Sequence, residues 1–567
     1  MTDLRTGGRI LVDALIAQGA DIAFGVPGES YLPVLDALLD APLRFIVNRH
    51  EGGAAFMAEA YGKLTGRPGI CFATRGPGAS NAAIGIHTAQ QDSTPLILFV
   101  GQVGGDFIER EAFQEIDYRR MYGSIAKWVA QIDRAERIPE YVAHAFQVAT
   151  SGRPGPVVLA LPEDMLNAKA AAPAAGRHQP VQAAPAAGQI DRLRALLAAA
   201  QRPLLLLGGS GWNPEACDAI RRFAEANALP VACAFRFQDL FDNRHPQYIG
   251  DVGIGINPRL AARIRNVDLL LAIGPRLGEM TTSGYSLLDV PRPRQRLVHV
   301  HAGAEELGRV YQAELMINSG MPQIAEALAQ MPAVDPAAWR TTASEARAEL
   351  EQWQAQPALL RDGDFPLDLW QVVQALKAAL PADTIVTNGA GNFATWMHRF
   401  WPYGGWRTQL APTSGAMGYG VPAAVAASIV ERQQGRVRMV LNVAGDGDFM
   451  MTGQELATAV QYEAGVLFLV FNNGMLGTIR MHQERHYPAR VSGTSLRNPD
   501  FAALARAYGA HGEAVDRTDG FPDALQRALA HIKSTRLPAL IELRYDGELI
   551  TPNASLTMLR KAAAASS

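Results

Sequence analysis

Short runs of apolar residues alternate along the chain with segments in which apolar residues recur at helical spacing. Runs of this kind predict buried strands, and they fall at residues 20–26, 43–48, 69–74, 95–101, 156–161, 203–208, 229–234, 267–274, 297–301, 384–388, 438–444 and 466–471. Strands that alternate with helices predict parallel sheets covered by helices, with ligand sites at the strand carboxyl ends. The predicted fold class is therefore α/β, with three consecutive parallel-sheet domains.

Two changes in composition divide the chain. Residues 168–189 hold ten alanines with prolines and glycines, which is typical of a linker. Residues 332–365 form a second break that contains one polar helix, predicted at 341–356. These breaks predict an N-terminal domain (1–170), a linker (171–189), a central domain (190–331), a second linker (332–365), a third domain (366–553) and a tail (554–567).

The composition narrows the classes of partner. A length of 567 residues, 48% of them hydrophobic and 19% charged, is ordinary for a multidomain globular protein. A net charge of −3 shows no basic footprint for nucleic acid and no polybasic membrane patch. Three cysteines without metal-ligand spacing argue against a zinc site. With no long apolar run and no signal-peptide pattern, we expect a cytoplasmic protein.

The strongest chemical signal lies in the third domain. The run 438–444 ends in Gly445-Asp446-Gly447-Asp448, and the run 466–471 ends in Asn472-Asn473. Parallel strands would place Asp446 and Asn473 at one edge of the sheet, where a carboxylate and an amide oxygen suit Mg²⁺. Glycines there let backbone N–H groups approach an anion. Between the two runs, Thr452 and Glu455 have the spacing of a helix capping box. We therefore expect this unit to hold a Mg²⁺-diphosphate.

This pairing of GDG with a following NN resembles the signature of thiamine diphosphate-dependent enzymes. Nearly the whole chain is similar to the acetolactate synthase, pyruvate oxidase and benzaldehyde lyase group of that family. The resemblance implies the cofactors thiamine diphosphate and Mg²⁺. It implies three metal ligands, namely the side chains of Asp446 and Asn473 and the backbone carbonyl of Met475.

The N-terminal domain carries Arg49-His50-Glu51 at the end of a predicted strand. Taken alone, Glu51 could simply complement the dipole of the helix that follows. The segment resembles the RHE element of the family, which implies that Glu51 binds the aminopyrimidine N1′ of the cofactor and drives its activation.

Further residues are assigned to the cofactor by resemblance. Met417, in a glycine-rich turn, could be a gap filler, but the resemblance makes it the wedge beneath the cofactor. Asn392 could be a plain helix cap, whereas the resemblance places its segment at the diphosphate. The residues expected to contact the cofactor are Gly25, Pro27, Ala390, Gly391, Asn392, Phe393, Ser414, Met417, Gly445, Gly447, Asp448, Gly474, Met475 and Leu476.

Substrate contacts are expected from both ends of the chain. Phe113 and Gln114 stand in a segment similar to the AFQE element that borders the active site in the group, and Gln114 is assigned with Glu51 to the catalytic set. Residues 74–81 read as a backbone nest before a helix, suited to a substrate carboxylate. The remaining expected substrate contacts are Gly28, Ile479 and His482.

Several residues depart from the synthase pattern. Asp448 replaces a common Ser, and a carboxylate near a diphosphate is repulsive, so we expect it to point away and cap its own turn. His482 stands where the synthases have a Trp that helps to choose the acceptor. Arg276 is similar to a flavin-contacting Arg, but Gly278 and His301 replace acidic residues. FAD is therefore uncertain and not supported by the sequence.

The resemblance implies a carboligase or decarboxylase. Its activated cofactor attacks a pyruvate-like 2-oxo acid, CO₂ leaves, and the acyl group passes to a carbonyl acceptor. A C–C lyase or decarboxylase acting on an acyloin, a diketone or an aromatic 2-oxo acid, a flavin-using oxidase and a non-catalytic paralogue that binds the cofactor remain alternatives. In the family the cofactor lies between two chains, which implies a homodimer at minimum and usually a homotetramer.

Overall fold

The computed structural model describes residues 4–566. The described residues divide into two compact units, residues 4–182 with 425–427, and residues 183–424 with 428–566. The first unit contains one six-stranded parallel sheet, and the second contains two. Three consecutive α/β domains built on parallel sheets were predicted, and this fold class is confirmed.

The sheet of the first unit has the strand order β3-β2-β4-β5-β7-β6. Strands β4, β5 and β7 are buried along their whole length, as expected for parallel strands covered on both faces. The strands are β1 (Arg5–Thr6), β2 (Ile22–Gly25), β3 (Arg44–Val47), β4 (Gly69–Ala73), β5 (Leu96–Gln102), β6 (Trp128–Gln131), β7 (Pro156–Pro162) and β8 (Lys169–Ala170), the last pairing with β1. The helices are α1 (Gly7–Ala17), α2 (Leu32–Leu39), α3 (Glu51–Thr65), α4 (Gly76–Asp92), α5 (Tyr118–Tyr122), α6 (Ile138–Thr150) and α7 (Glu163–Asn167).

The first sheet of the second unit has the order β11-β10-β9-β12-β13-β14. Its strands are β9 (Pro203–Leu207), β10 (Val231–Cys233), β11 (Tyr248–Asp251), β12 (Leu269–Ile273), β13 (Arg296–His301) and β14 (Leu315–Asn318). Its helices are α8 (Ala187–Ala198), α9 (Pro214–Ala226), α10 (Pro258–Asn266) and α11 (Met321–Gln330), followed by the linker helices α12 (Thr342–Gln354) and α13 (Ala358–Arg361). Helix α12 matches the polar helix predicted at 341–356.

The second sheet of this unit has the order β16-β15-β17-β18-β20-β19. Its strands are β15 (Ile385–Asn388), β16 (Gln409–Leu410), β17 (Val440–Gly445), β18 (Val466–Asn472), β19 (His511–Val515) and β20 (Ala539–Arg544), with a separate pair β21 (Leu549–Thr551) and β22 (Ala554–Ser555). The helices are α14 (Leu369–Ala379), α15 (Ala394–Phe400), α16 (Gly420–Gln433), α17 (Asp446–Thr452), α18 (Glu455–Gln461), α19 (Gly477–His486), α20 (Phe501–Ala507), α21 (Phe521–Thr535) and α22 (Leu556–Ser566).

Candidate active site

A cavity of about 220 Å³ lies at the carboxyl edge of the third sheet, beyond the ends of β15, β17 and β18. Its lining is rich in glycine and carries few charged side chains. The lining residues are Ala390, Gly391, Asn392, Phe393, Gly415, Met417, Gly445, Asp446, Gly447, Asp448, Phe471, Asn473, Met475, Leu476, Gly477, Thr478, Ile479 and Tyr545.

Strand register places the two expected metal ligands together. Strands β17 and β18 are parallel, and Gly445 pairs with Phe471 at their carboxyl ends. Asp446 follows the first of these residues directly, and Asn473 follows the second after one residue. Both side chains consequently lie at the same edge, and both line the cavity.

Asp446 is buried at the first position of α17. Its Oδ2 accepts a hydrogen bond of 2.7 Å from the side-chain amide of Asn498. Burial raises the pKa of Asp446, while hydrogen bonds from Asn498 and from the backbone of Gly447 and Gly474 act in the opposite direction. A bound cation would favour the ionised form of this carboxylate.

The loop after β18 is held in a fixed shape. Gly474 has a φ of +68°, and Asn473 Oδ1 accepts a weak hydrogen bond of 3.3 Å from the backbone N–H of Met475. The backbone N–H of Leu476 donates to the Thr494 carbonyl, and that of Leu496 donates to the Gly474 carbonyl, both at 2.8 Å. A second segment of chain therefore supports the loop that carries Asn473 and Met475.

These donors fit a hard divalent cation. Asp446 supplies a carboxylate, Asn473 an amide oxygen and Met475 a backbone carbonyl, all in residues that line one cavity. Mg²⁺ is typically held by one or two carboxylates together with phosphate oxygens and water. Within residues 4–566, no group of three or more His, Cys, Asp or Glu side chains is placed to hold a metal ion.

Asp448 does not cap its own turn, and that prediction is wrong. Its Oδ1 accepts hydrogen bonds from the backbone N–H groups of Ala390, at 3.0 Å, and Gly418, at 2.9 Å. Both donors belong to other loops. Burial raises the pKa of Asp448 to about 7, against the opposing effect of these two hydrogen bonds and of the Arg236 charge.

The predicted capping box is also wrong. Helix α17 begins at Asp446 and ends at Thr452, so Thr452 does not precede a helix as an N-cap residue would. Thr452 donates its hydroxyl to the Gly418 carbonyl at 2.6 Å, and Glu455 is a buried acceptor for the Thr458 hydroxyl. Each side chain satisfies a contact other than the orphan N–H groups of a helix end.

Met417 and Asn392 both line the cavity. Met417 lies between Gly415 and Gly418, whose φ values of +66° and +80° turn the chain sharply on either side of it. Asn392 does not cap α15, because its Oδ1 accepts a hydrogen bond of 3.0 Å from the Thr478 hydroxyl. The alternative in which Asn392 is a plain helix cap is therefore wrong.

Three of the residues predicted in the third domain do not line the cavity. Ser414 and Gly474 are sequence neighbours of residues that do. His482 is exposed on α19, where its ring lies parallel to that of His486 with the ring centroids 6.3 Å apart. The neighbouring substrate candidate, Ile479, lines the cavity and is about half exposed.

Five lining residues escaped the sequence reasoning. Tyr545 follows β20, so the parallel-strand argument used for Asp446 would have found it if that strand had been recognised. Thr478 contacts Asn392 across the cavity, a relationship that no local pattern encodes. The full set is Gly415, Phe471, Gly477, Thr478 and Tyr545.

In the first unit, Glu51 opens α3, four residues after the end of β3. The preceding residue, His50, caps the helix by accepting the Gly52 N–H at 3.0 Å. The side-chain amide of Asn81, on α4, donates to Glu51 Oε2 at 2.9 Å. One carboxylate oxygen of Glu51 is therefore oriented by a neighbouring helix.

The other first-unit candidates lie in loops that follow strands of the same sheet. Gly25 ends β2, with Pro27 exposed and Gly28 half-buried beyond it. Gln114 has a φ of +66° and accepts the Gly76 N–H at 3.0 Å through its backbone carbonyl, while Phe113 is 72% exposed.

The predicted anion nest at residues 74–81 contains its own buried cation. Arg75, at the start of α4, donates to Glu163 and lies 3.7 Å from Glu29. The guanidinium is thus neutralised by acidic side chains of its own unit. Any attraction for a substrate carboxylate would have to come from the backbone N–H groups.

Arg276 of the central domain, which is similar to a flavin-contacting arginine of the synthases, also pairs with an acidic side chain. Its guanidinium lies 3.3 Å from the buried carboxylate of Glu306, which also pairs with Arg309 at 3.2 Å. The His301 ring contacts the backbone of Gly303. Arg276 and His301, the polar residues considered for a flavin site, therefore both contact groups of their own domain.

Comparison with known proteins defines the class. Three family models match, described as the thiamine pyrophosphate enzyme N-terminal TPP binding domain (residues 5–121), central domain (190–328) and C-terminal TPP binding domain (389–543). The chain therefore belongs to the thiamine pyrophosphate enzyme family, and its TPP-binding domains support thiamine diphosphate as the cofactor.

Its relatives narrow the group. The chain is 32% identical to the acetolactate synthase isozyme 2 large subunit of Escherichia coli (92% of this chain, 93% of the relative). It is 31% identical to a probable acetolactate synthase large subunit of Methanocaldococcus jannaschii (97% and 94%) and 34% identical to the acetolactate synthase large subunit of Parasynechococcus marenigrum (95% and 87%). The chain is a thiamine diphosphate-dependent enzyme of the acetolactate synthase-like group. Among the residues described, no helix is both long and apolar enough to span a bilayer.

Proposed function

We propose that this chain is a carboligase or decarboxylase that uses thiamine diphosphate and Mg²⁺ to act on a 2-oxo acid and a carbonyl acceptor. The observation that carries the proposal is the placement of Asp446 and Asn473 at the ends of adjacent parallel strands, lining one glycine-rich cavity with Met417. The names of the relatives, all acetolactate synthases, support the substrate class.

The third-domain residues would hold the diphosphate end of the cofactor. Asp446, Asn473 and the Met475 carbonyl would bind Mg²⁺ and leave its other positions to diphosphate oxygens and water. Gly391, Gly445 and Gly447 line the same cavity, where the absence of a side chain permits close approach of an anion to the backbone.

Glu51 would hold a proton at the aminopyrimidine N1′. Asn81 orients this carboxylate through Oε2, which leaves Oε1 for the cofactor. When bound, thiamine diphosphate supplies the electron sink for breaking a bond next to a carbonyl group. Met417 would support the bent cofactor conformation and bring its reacting groups together.

The resemblance to the synthase group supports two sets of proposed substrate contacts. One set is Gln114, Phe113 and Gly28, and the other is Ile479 and His482 of α19. His482 is smaller and more polar than the Trp expected in synthases, so we propose an acceptor that differs from theirs in size or hydrogen bonding.

We propose further that two copies of the chain complete each site, giving a homodimer at minimum and a homotetramer as the usual assembly. Support comes from the resemblance to a family in which the activating Glu and the diphosphate motif that share a site come from different chains.

A substrate screen tests the proposal. The purified protein, supplied with thiamine diphosphate and Mg²⁺, is incubated with a panel of 2-oxo acids and aldehyde acceptors, and CO₂ and product masses are measured. We expect CO₂ release with formation of a 2-hydroxy ketone, lost in Glu51→Gln. Aldehyde release from an acyloin without CO₂ would establish a lyase instead. Cofactor binding with no hydrogen–deuterium exchange at its C2 would establish a non-catalytic paralogue.

A further inference from the structure

A buried cation of the central domain contacts two loops of the third domain. Arg236 follows β10 and is 7% exposed. Its guanidinium donates to the Gly389 carbonyl at 2.9 Å and to the Pro412 carbonyl. These carbonyls belong to the loops that follow β15 and β16, so one side chain ties together two loops distant in sequence.

A buried carboxyl group of the third domain contacts the same two loops. Asp448 accepts hydrogen bonds from the N–H groups of Ala390 and Gly418. The first donor is the residue after Gly389, and the second lies six residues after Pro412. We call Arg236 and Asp448 together the loop bracket. It satisfies two carbonyls with a guanidinium and two N–H groups with a carboxyl oxygen. The hydrogen bonds from the charged guanidinium are of the stronger kind.

Two glycines and an unusual backbone conformation at Arg236 allow the loop bracket to form. A Cβ at Gly389 would overlap the Asp448 carboxylate, so any other residue there would displace this side chain from its two hydrogen bonds. Gly418 has a φ of +80°, and Arg236 itself has a φ of +64°, a left-handed conformation that is uncommon for a residue with a side chain. Such a conformation persists only where surrounding contacts determine it.

Both bracketed loops form walls of the cofactor cavity. The first contributes Ala390 and Gly391, and the second contributes Gly415 and Met417. Arg236 is absent from the lining, so it would influence the cofactor only through these loops. A displacement of about 1 Å in a group that positions reacting atoms can cost on the order of a hundredfold in rate.

We infer that Arg236 is a positioning residue of the active site: with Asp448 it fixes the two cofactor-facing loops, so that the central domain helps to set cofactor affinity and turnover. This inference rests on the proposed function, because it assumes that thiamine diphosphate occupies the cavity. The alternative is a purely structural role, in which Arg236 only stabilises the contact between the central and third domains.

Gln238 provides a matched control for the alternative. Its side chain also joins the two domains, donating to the His398 carbonyl at 2.8 Å and accepting from the Gln409 amide at 2.9 Å. None of these partners lines the cavity. Gln238→Met should therefore lower the urea midpoint of unfolding with no effect on cofactor affinity.

The test measures the Kd for thiamine diphosphate in saturating Mg²⁺, the kcat and the urea midpoint in the full-length protein. We expect Arg236→Met to raise the Kd about tenfold and to lower kcat at saturating cofactor by a similar factor. Arg236→Lys keeps the charge but loses the planar guanidinium, so it should show an intermediate Kd. This variant also serves as the test if Arg236→Met does not fold. Asp448→Ala should act on the same loops, so its effect combined with Arg236→Met should be less than the product of the single effects.

Wild-type Kd and kcat in both Arg236 variants would overturn the inference, as would independent, multiplicative effects in the double variant. A Kd shift in Gln238→Met equal to that in Arg236→Met would assign the effect to the domain contact in general and would equally overturn it. Failure of the wild-type protein to bind thiamine diphosphate would instead defeat the proposed function, which keeps the two failures distinguishable.

Discussion

The side-chain amide of Asn498 donates one hydrogen bond to Asp446 Oδ2, at 2.7 Å, and another to Asn472 Oδ1, at 2.8 Å. A single residue, far along the chain from both partners, thus links the ends of β17 and β18. Outer groups of this kind orient metal ligands and tune their affinity. Asn498 therefore belongs to the support of the proposed metal site, although no sequence motif marks it.

Removing this support should weaken the metal site. We expect Asn498→Ala to raise the Mg²⁺ concentration needed for half-maximal activity by roughly 10- to 100-fold, because the carboxylate of Asp446 loses its fixed orientation. Activity is titrated with Mg²⁺ at saturating thiamine diphosphate. Asn266→Ala is the control, because Asn266 is exposed on α10 of the central domain, and it should leave the titration unchanged. An unaltered Mg²⁺ requirement in Asn498→Ala would refute the role.

Glu51 offers a test of activation that does not disturb folding. Glu51→Gln retains an oxygen that can accept from Asn81 but cannot hold a negative charge, so we expect turnover to fall by about 10²- to 10⁴-fold with an unchanged thermal midpoint. Asn81→Ala should give a smaller loss, since it only frees the carboxylate. Steady-state rates and thermal denaturation of the two variants are compared. Near-normal turnover in Glu51→Gln would remove Glu51 from the catalytic set.

Sequence reasoning identified the centres of the sheets better than their margins. The central strands are continuous apolar runs, such as the fully buried β9, because helices cover both faces. Five of the strands missed, β6, β11, β14, β16 and β19, lie at sheet edges. Several of these alternate buried and partly exposed residues, which blurs the apolar run. The inner strand β20 was missed as well, where the charged Glu542 interrupts its run.

The site was predictable wherever its residues follow strand ends. Asp446 and Asn473 were placed correctly at one edge because parallel register determines that relationship. Side-chain partners were not predictable in the same way. The contacts of Asp448 with Ala390 and Gly418 join segments brought together only by the tertiary fold, and they replaced the local cap that the sequence favoured.

The proposal that two chains share each site has a direct genetic test. Glu51→Gln and Asp446→Asn each disable a different half of the proposed site, and each variant alone should be inactive. In mixed dimers, one site would receive both intact residues, so co-expression should restore roughly a quarter of the wild-type activity if the chains assort at random. Mixed dimers purified through two different tags should show about half of the wild-type activity, because one of their two sites is intact, and they are assayed beside each parent. A site contained within one chain would show no recovery.

The C-terminal helix is fixed to α19 by a buried acidic side chain. Glu484 accepts from the guanidinium groups of Arg560, at 2.7 and 3.0 Å, and Arg480, at 2.7 and 3.1 Å. Hydrogen bonding from Arg560 is the largest cause that lowers the pKa of Glu484, to about 2 from an ordinary value of 4.5. Since Arg560 lies on α22, this ion pair joins the last helix to the one that carries Ile479 and His482.

Docking of α22 should consequently depend on pH in a defined window. A depressed folded-state pKa means that Glu484 stabilises the docked helix above about pH 4.5 and that the stabilisation is lost as the pH falls toward 2. Hydrogen exchange of the α22 amides should accelerate across this range in the wild type, beyond the intrinsic pH effect. In Glu484→Gln these amides should exchange faster already at pH 6 and show less additional change. Glu431→Gln is the matched control, because Glu431 is a buried carboxylate paired with Arg436 and Arg438 away from α22. If Glu484→Gln and the wild type gave the same exchange profile, the ion pair would have no part in holding the helix.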